Sequence, residues 1–159
     1  KLIEIFYYVS QHIKNIKFVI IGEGHLRQRM EDDCKRYQLD KNVHFTGKIN
    51  VSDVASWMKK MNVFVLPSRE EAFGCVIKEA QACGVSVVGS SQGGIPFVIG
   101  RGGVCIHEGD DFEKRFSQAI VDLLKNPIDQ TILSREVEKY TWIETVSKEI
   151  EVYRSILNT

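Results

Sequence analysis

Residues 63–88 read VFVLPSREEAFGCVIKEAQACGVSVV, and this stretch decides the fold. A solid apolar run, Val63-Phe64-Val65-Leu66, is stopped by Pro67. Continuous runs of this kind suit strands covered on both faces, as in parallel sheets. The spacing of Val76, Ile77, Ala80 and Cys83 predicts a helix from about Gly74 to Cys83, ended by Gly84. Val85-Ser86-Val87-Val88 is the next strand. Strand, helix and strand in so few residues make a right-handed βαβ crossover.

The same alternation extends in both directions. Leu2, Ile3, Ile5, Phe6, Val9 and Ile13 recur at helical spacing, and Phe18-Val19-Ile20-Ile21 is another apolar run, ended by Gly22. Gly22-Glu23-Gly24 opens a polar helix through about Tyr37, and Val43-His44-Phe45-Thr46 reads as a strand closed by Gly47. Ser52 is placed to cap a helix through Lys60, with Asp53 in its first turn. Past Val88, the Gly102-Gly103 turn leads to a short strand, Val104-Cys105-Ile106. Helical pattern then runs from Phe112 to Leu124, breaks near Pro127, and resumes in two segments up to Leu157. The expected class is α/β, a Rossmann-like doubly wound parallel sheet. Such sheets bind ligands at the carboxyl ends of their strands, here the loops after Ile21, Thr46, Leu66 and Val88.

Composition narrows the field. The chain has 159 residues, 43% hydrophobic and 26% charged, which suits one compact domain. Its 21 basic residues balance 21 acidic ones, so it lacks the basic excess that nucleic-acid binding needs. No apolar run approaches the ~20 residues of a membrane span, and the amino terminus lacks the features of a signal peptide. Cys34, Cys75, Cys83 and Cys105 form no CxxC pair and read as reduced structural thiols, which implies a cytoplasmic location. His12, His25, His44 and His107 show no metal-binding spacing, and Asp32-Asp33 and Asp110-Asp111 read as solvated pairs. Trp57 and Trp142 are expected to pack against apolar neighbours, and G-x-S-x-G does not occur.

The chemistry concentrates between Pro67 and Ala80. A helix start offers unpaired backbone N–H groups and a partial positive charge, both suited to an anion. Gly74 lets a phosphate approach the main chain. Glu71 lies just before this helix and Glu79 lies within it. At ~1.5 Å per residue they bracket roughly 7–10 Å, the length of a diphosphate with a sugar at each end. On a helical wheel Glu79 falls at the edge of the apolar stripe, with Lys78 and Gln81 farther round. A carboxylate there needs a partner or a ligand.

The stretch from Pro67 to Glu79 resembles the E-x7-E signature of retaining glycosyltransferases of the GT-B fold, family 4 type. The resemblance extends through Phe18–Gly24, Val43–Gly47, Ala82-Cys83-Gly84 and Gly93-Gly94-Ile95-Pro96, in order along nearly the whole chain. It implies that residues 1–159 are the donor-binding domain, one half of a GT-B fold. Glu71 would be the catalytic residue, holding the donor sugar's hydroxyls. Glu79 would hold the ribose, and the main chain of Ala72, Phe73, Gly74, Cys75 and Val76 would cradle the diphosphate. Gly47, Lys48 and Ile49 would meet the base, and Gly22 would line the cleft floor. The ligand would be a UDP- or GDP-linked sugar, with no further cofactor and no metal. A glycan or lipid acceptor would reach the site through an amino-terminal domain outside these residues. Peripheral membrane association of the longer protein would follow from such an acceptor.

Two departures from the family pattern stand out. Phe97 follows Gly-Gly-Ile-Pro where an acid is usual. Lys1 also begins downstream of the family's first strand, a central one, and of the Arg and Lys that neutralise the diphosphate. A sheet without its middle strand has a gap, which leaves room for strand exchange with a second copy. A non-catalytic α/β nucleotide-binding or assembly module is the alternative reading. A dinucleotide oxidoreductase fits less well, because Arg27 stands where G-x-G-x-x-G needs its third glycine.

Overall fold

A computed structural model describes residues 1–157. The strands are β1 (Phe18–Ile21), β2 (Val43–Gly47), β3 (Val63–Leu66), β4 (Ser86–Ser90) and β5 (Gly103–Ile106). The helices are α1 (Leu2–His12), α2 (Arg27–Arg36), α3 (Val51–Met58), α4 (Cys75–Ala82), α5 (Ile95–Ile99), α6 (Phe112–Lys125), α7 (Gln130–Glu138) and α8 (Trp142–Leu157). All strand pairs are parallel, so the architecture is the α/β class that the alternation predicts.

The strands form two parallel sheets, β1-β2 and β3-β4-β5. Phe18 lies opposite Val43, and Val63 opposite Ser86. β4, hydrogen-bonded on both sides, is buried throughout, whereas β1 and β3 are largely half-buried despite their solid apolar sequence. Each has one edge without a partner strand. One core nevertheless spans both sheets. Ile5, Phe6 and Val9 of α1 and Phe112, Phe116 and Ile120 of α6 pack in the same cluster as Phe18 and Val88, with Val63 and Val65 against it. The Phe6 and Phe18 rings stack at 4.1 Å. A second cluster unites Ile77 and Ala80 of α4, Val85, Val87 of β4, and Ile95, Val98 and Ile99 of α5. Fully burying one such aliphatic side chain contributes ~1.5–3 kcal/mol.

Several local expectations are corrected. The residue before α3 is Asn50, and Ser52 lies inside the helix, its carbonyl accepting from Ser56 Oγ. The polar helix begins at Arg27, because Gly22 is held in a bridge to Gly47 and His25 and Leu26 form a turn. α5 has no counterpart in the predicted elements: five residues containing Pro96 are too short to show helical periodicity. Trp142 is 85% exposed, and no residue of α8 is buried. Trp57 is half-buried and stacks on the His44 ring at 5.8 Å. No helix among the described residues is long and apolar enough to cross a membrane.

Candidate functional site

The loop between β3 and α4 occupies the carboxyl end of its sheet. Gly74 precedes α4 in the left-handed region, at φ 89°. That backbone is costly for any residue with a Cβ. A Cβ there would also stand 3.0 Å from Ile77 Cδ1 and 3.4 Å from Glu71 Cγ. The stem of Glu71 therefore lies across the start of α4. The free N–H groups of the first turn and the helix dipole favour negative charge at this end.

The loop after β4 packs onto the same segment. Gly94 N–H donates to the Glu71 carbonyl at 3.1 Å. A Cβ on Gly93 would collide with that carbonyl oxygen, and one on Gly94 with the Ala72 carbonyl. The paired glycines thus allow two main chains to touch. Ser90 Oγ donates to the Ser68 carbonyl, tying the ends of β3 and β4 together. The Ser91 hydroxyl is buried nearby, with no hydrogen-bond partner among the described residues.

At the carboxyl end of β1-β2, Gly22 N–H donates to the Gly47 carbonyl at 3.0 Å. Both glycines have positive φ, 110° and 68°. A Cβ on Gly47 would lie 3.0 Å from Glu23 Oε1, and Glu23 pairs with Arg27 at 3.7 Å. Lys48 is exposed and Ile49 half-buried. The structure thus groups Glu71, Ala72, Phe73 and Gly74 with Gly93 and Gly94, and separately joins Gly22 to Gly47. A groove of about 580 Å³ opens elsewhere, at the amino ends of β1 and β2, between Tyr7, Lys14, Arg36 and Tyr37.

Glu71 is half-buried, while Cys75 and Glu79 are exposed on α4 and Val76 is half-buried. Among the described residues neither the Glu71 nor the Glu79 carboxylate makes a hydrogen bond or ion pair. The wheel places Glu79 at the edge of the apolar stripe and Lys78 and Gln81 farther round, whereas in the structure Glu79 is exposed and the other two are buried. The inward polar residues are Lys78, 8% exposed, and Gln81, 1% exposed. The reason lies in α7, which covers that face of α4. Lys78 Nζ donates to Gln81 Oε1 at 2.8 Å and lies 3.9 Å from Glu136 Oε2. Gln81 Nε2 donates to the Ile99 carbonyl at 2.9 Å. Nothing in the local pattern of α4 announces a partner 58 residues away in sequence.

Glu136 is the centre of this cluster. Lys139 Nζ donates to its Oε1 at 2.7 Å, and the Arg101 N–H also donates to it. These bonds, with the Lys139 and Lys78 charges, hold its carboxyl below its ordinary value near 4.5, while burial opposes them. Burial lowers the Lys78 pKa, and Glu136 partly offsets that. A depressed carboxylate stabilises the fold above the ordinary value and loses that contribution as pH falls through its folded value. Glu136→Gln is therefore expected to lower stability at pH 7, on the order of 2 kcal/mol. It should also flatten the decline in stability as pH falls below the ordinary value near 4.5. Urea unfolding from pH 7 downward measures both.

An α/β scaffold of parallel strands, carrying a glycine-lined helix start at the strand ends, is a Rossmann-like architecture. Comparison with known proteins defines it further. A family model described as glycosyl transferases group 1 matches residues 1–126. The chain belongs to this family, and its fold is that of a Rossmann-like domain of GT-B glycosyltransferases. It is 32% identical over 150 residues to the phosphatidylinositol N-acetylglucosaminyltransferase gpi3 subunit of Schizosaccharomyces pombe, covering 92% of this chain and 33% of that protein. It is 31% identical over 121 residues to a GDP-mannose-dependent monoacylated alpha-(1-6)-phosphatidylinositol monomannoside mannosyltransferase of Corynebacterium glutamicum, covering 70% of this chain and 30% of that protein. Among solved structures, sucrose-phosphate synthase from Thermosynechococcus elongatus superposes with a TM-score of 0.79 at 26% identity, over 98% of this chain and 42% of that one. The pneumococcal O-GlcNAc transferase GtfA, solved with UDP and GlcNAc, superposes at 0.81 with 16% identity over 99% of this chain and 33% of that one, a likeness of fold alone. The chain spans about a third of the length of these curated relatives.

Proposed function

We propose that residues 1–159 are the donor-binding half of a retaining glycosyltransferase. It takes a nucleotide-diphosphate sugar and delivers the glycosyl group to a hydroxyl acceptor on a polysaccharide or lipid-linked glycan. The observation that carries this reading is the start of α4. A left-handed Gly74 opens a helix whose first N–H groups, like the carboxylates of Glu71 and Glu79 along it, have no hydrogen-bond partner among the described residues. In this reading those N–H groups, from Phe73 to Val76, hold the diphosphate. Glu71 binds the transferred sugar, and Glu79 accepts from the ribose hydroxyls. The main chain at Gly47, Lys48 and Ile49 faces the base, and Gly22 lines the floor.

Transfer breaks the bond between the anomeric carbon and the diphosphate oxygen. Negative charge develops on the departing diphosphate, where preorganised N–H donors are most effective. The leaving group then helps to position or deprotonate the acceptor hydroxyl. The acceptor domain, the remaining central strand and the basic residues facing the diphosphate belong to other parts of the same polypeptide. Four free cysteines fit a reducing, cytoplasmic setting. A lipid-linked acceptor would bring the longer protein to a membrane surface without a spanning helix in this half.

A melting screen of the full-length protein with UDP, GDP and ADP tests the reading. A nucleotide present at 100 times its Kd stabilises by about 2.7 kcal/mol. That is a rise in Tm of roughly 5–10 °C for a protein of about 150–250 residues, and proportionately less for a longer one. One of the three should produce it. A flat response to all of them and to their sugar conjugates rejects a nucleotide-sugar site.

A further inference from the structure

Tyr140 follows α7 and is half-buried, 67 residues from Phe73 in sequence yet in contact with it. The two rings meet edge-on, with centroids 5.9 Å apart. A second edge contact, at 6.4 Å, joins Tyr140 to Phe97 on α5. The Lys78 ammonium lies 4.5 Å from the centroid of the same ring. Phe73 is 39% exposed and Phe97 is 73% exposed, so neither is held by a core of its own. The mount beneath Tyr140 is firm. Glu136, four residues earlier, is bonded to Lys139 and to the Arg101 N–H, and stands beside Lys78. Gly100 permits this approach, since a Cβ there would collide with Glu136 Oε2.

We propose that Tyr140 is a positioning residue of the donor site: its ring, backed by Lys78 and wedged against Phe73 and Phe97, fixes the main chain of the loop at Phe73 and Gly74. The inference rests on the donor-site reading for its effect on catalysis, though not for its effect on the loop. Rigid placement matters because N–H groups that must be reoriented on binding weaken both affinity and charge stabilisation. A ring at this position meets all three neighbours at once. The hydroxyl contributes nothing to the wedge, since it makes no hydrogen bond among the described residues. Phe97 gains a role here as well. It stands where the family pattern has an acid, and its side chain makes one wall of the wedge.

The test compares Tyr140→Leu and Tyr140→Phe in the full-length protein. Cys75, exposed at the first position of α4, reports the loop directly through its reaction with an aromatic disulfide reagent. A matched Cys75→Ser form of each variant, whose labelling is subtracted, isolates its signal. Tyr140→Leu should change the Cys75 labelling rate by about fivefold or more, as expected when a packed loop is freed to open locally. It should raise the donor KM and lower kcat together, each by about tenfold, because the same N–H groups hold the diphosphate and stabilise its developing charge. Tyr140→Phe should match the parent in both. Equal labelling rates for Leu and parent overturn the proposal, and so does a Tyr140→Phe variant as impaired as Tyr140→Leu. If no nucleotide sugar serves any form of the protein, the donor-site reading fails. The thiol rates still decide whether Tyr140 holds the loop.

Discussion

Glu71→Gln in the full-length glycosyltransferase is expected to lower kcat by about a thousandfold while leaving Tm within a degree or two of the parent. The second half of that expectation follows from the structure. The Glu71 carboxylate makes no hydrogen bond or ion pair among the described residues, and its stem only rests across Gly74. Removing one preorganised group that acts on developing charge costs about 10²–10³ in kcat. A residue that also orients the transferred sugar belongs at the upper end of that range. Glu79→Gln should behave differently. Glu79 is exposed on α4, and in the proposed pose it touches the ribose, which does not change on transfer. Binding of that kind is uniform between ground and transition states, so its loss raises donor KM by about tenfold or more with kcat nearly intact. Steady-state kinetics on both variants, with melting curves as controls, separate the two roles. Unchanged kcat in Glu71→Gln would remove it from the chemistry.

The segment that carries both carboxylates was legible as strand, turn and helix because its signals are local. Gly74, the preceding strand and the following helix are neighbours in sequence, so local pattern defines their geometry. The strands were legible for a similar reason. Phe18–Ile21 and Val63–Leu66 are solid apolar runs that read as strands even though the structure leaves them largely half-buried. What could not be read were the pairings across distance. Lys78 and Gln81 look like a solvated face of α4 until α7 is laid over them. Their burial depends on Glu136, on the Ile99 carbonyl, and on two glycines that allow close approach. Tyr140 has no local signal at all. Its importance comes from three contacts, with Phe73, Lys78 and Phe97, each from a different part of the chain. Trp142 shows the opposite error. Its helical spacing with Val146, Ile150 and Tyr153 marks an apolar stripe correctly, yet nothing among the described residues buries that stripe.

Under the proposed donor-domain reading, the largest stability effect should come from one further parallel strand between β1 and β3. β1 and β3 each present one unpaired edge, and their apolar side chains are only half-buried. α1 and α6 join the two sheets over one core, so the edges belong to a single body. One parallel strand between β1 and β3 would give the order β2-β1-new-β3-β4-β5, in which the chain reverses direction at the inserted strand. That is the doubly wound order, and its switch point is where such folds bind ligands. α1 then becomes the right-handed crossover from the new strand to β1. A four-residue apolar strand buried on both faces gains ~1.5–3 kcal/mol per large side chain, against ~1.5 kcal/mol per residue of lost freedom. Closing two edges adds ladder hydrogen bonds of ~1 kcal/mol each. The net is several kcal/mol, or roughly 10 °C or more in Tm. Residues 1–159 expressed alone should therefore melt well below the longer protein, and the amides along the open edges of β1 and β3 should exchange quickly with deuterium. In the longer protein the same amides should be among the best protected. Self-association of the short form, seen by light scattering and abolished by the preceding segment, would show that a second copy had been completing the sheet. Equal Tm and equal exchange in the two forms would mean that the two sheets are complete as they stand.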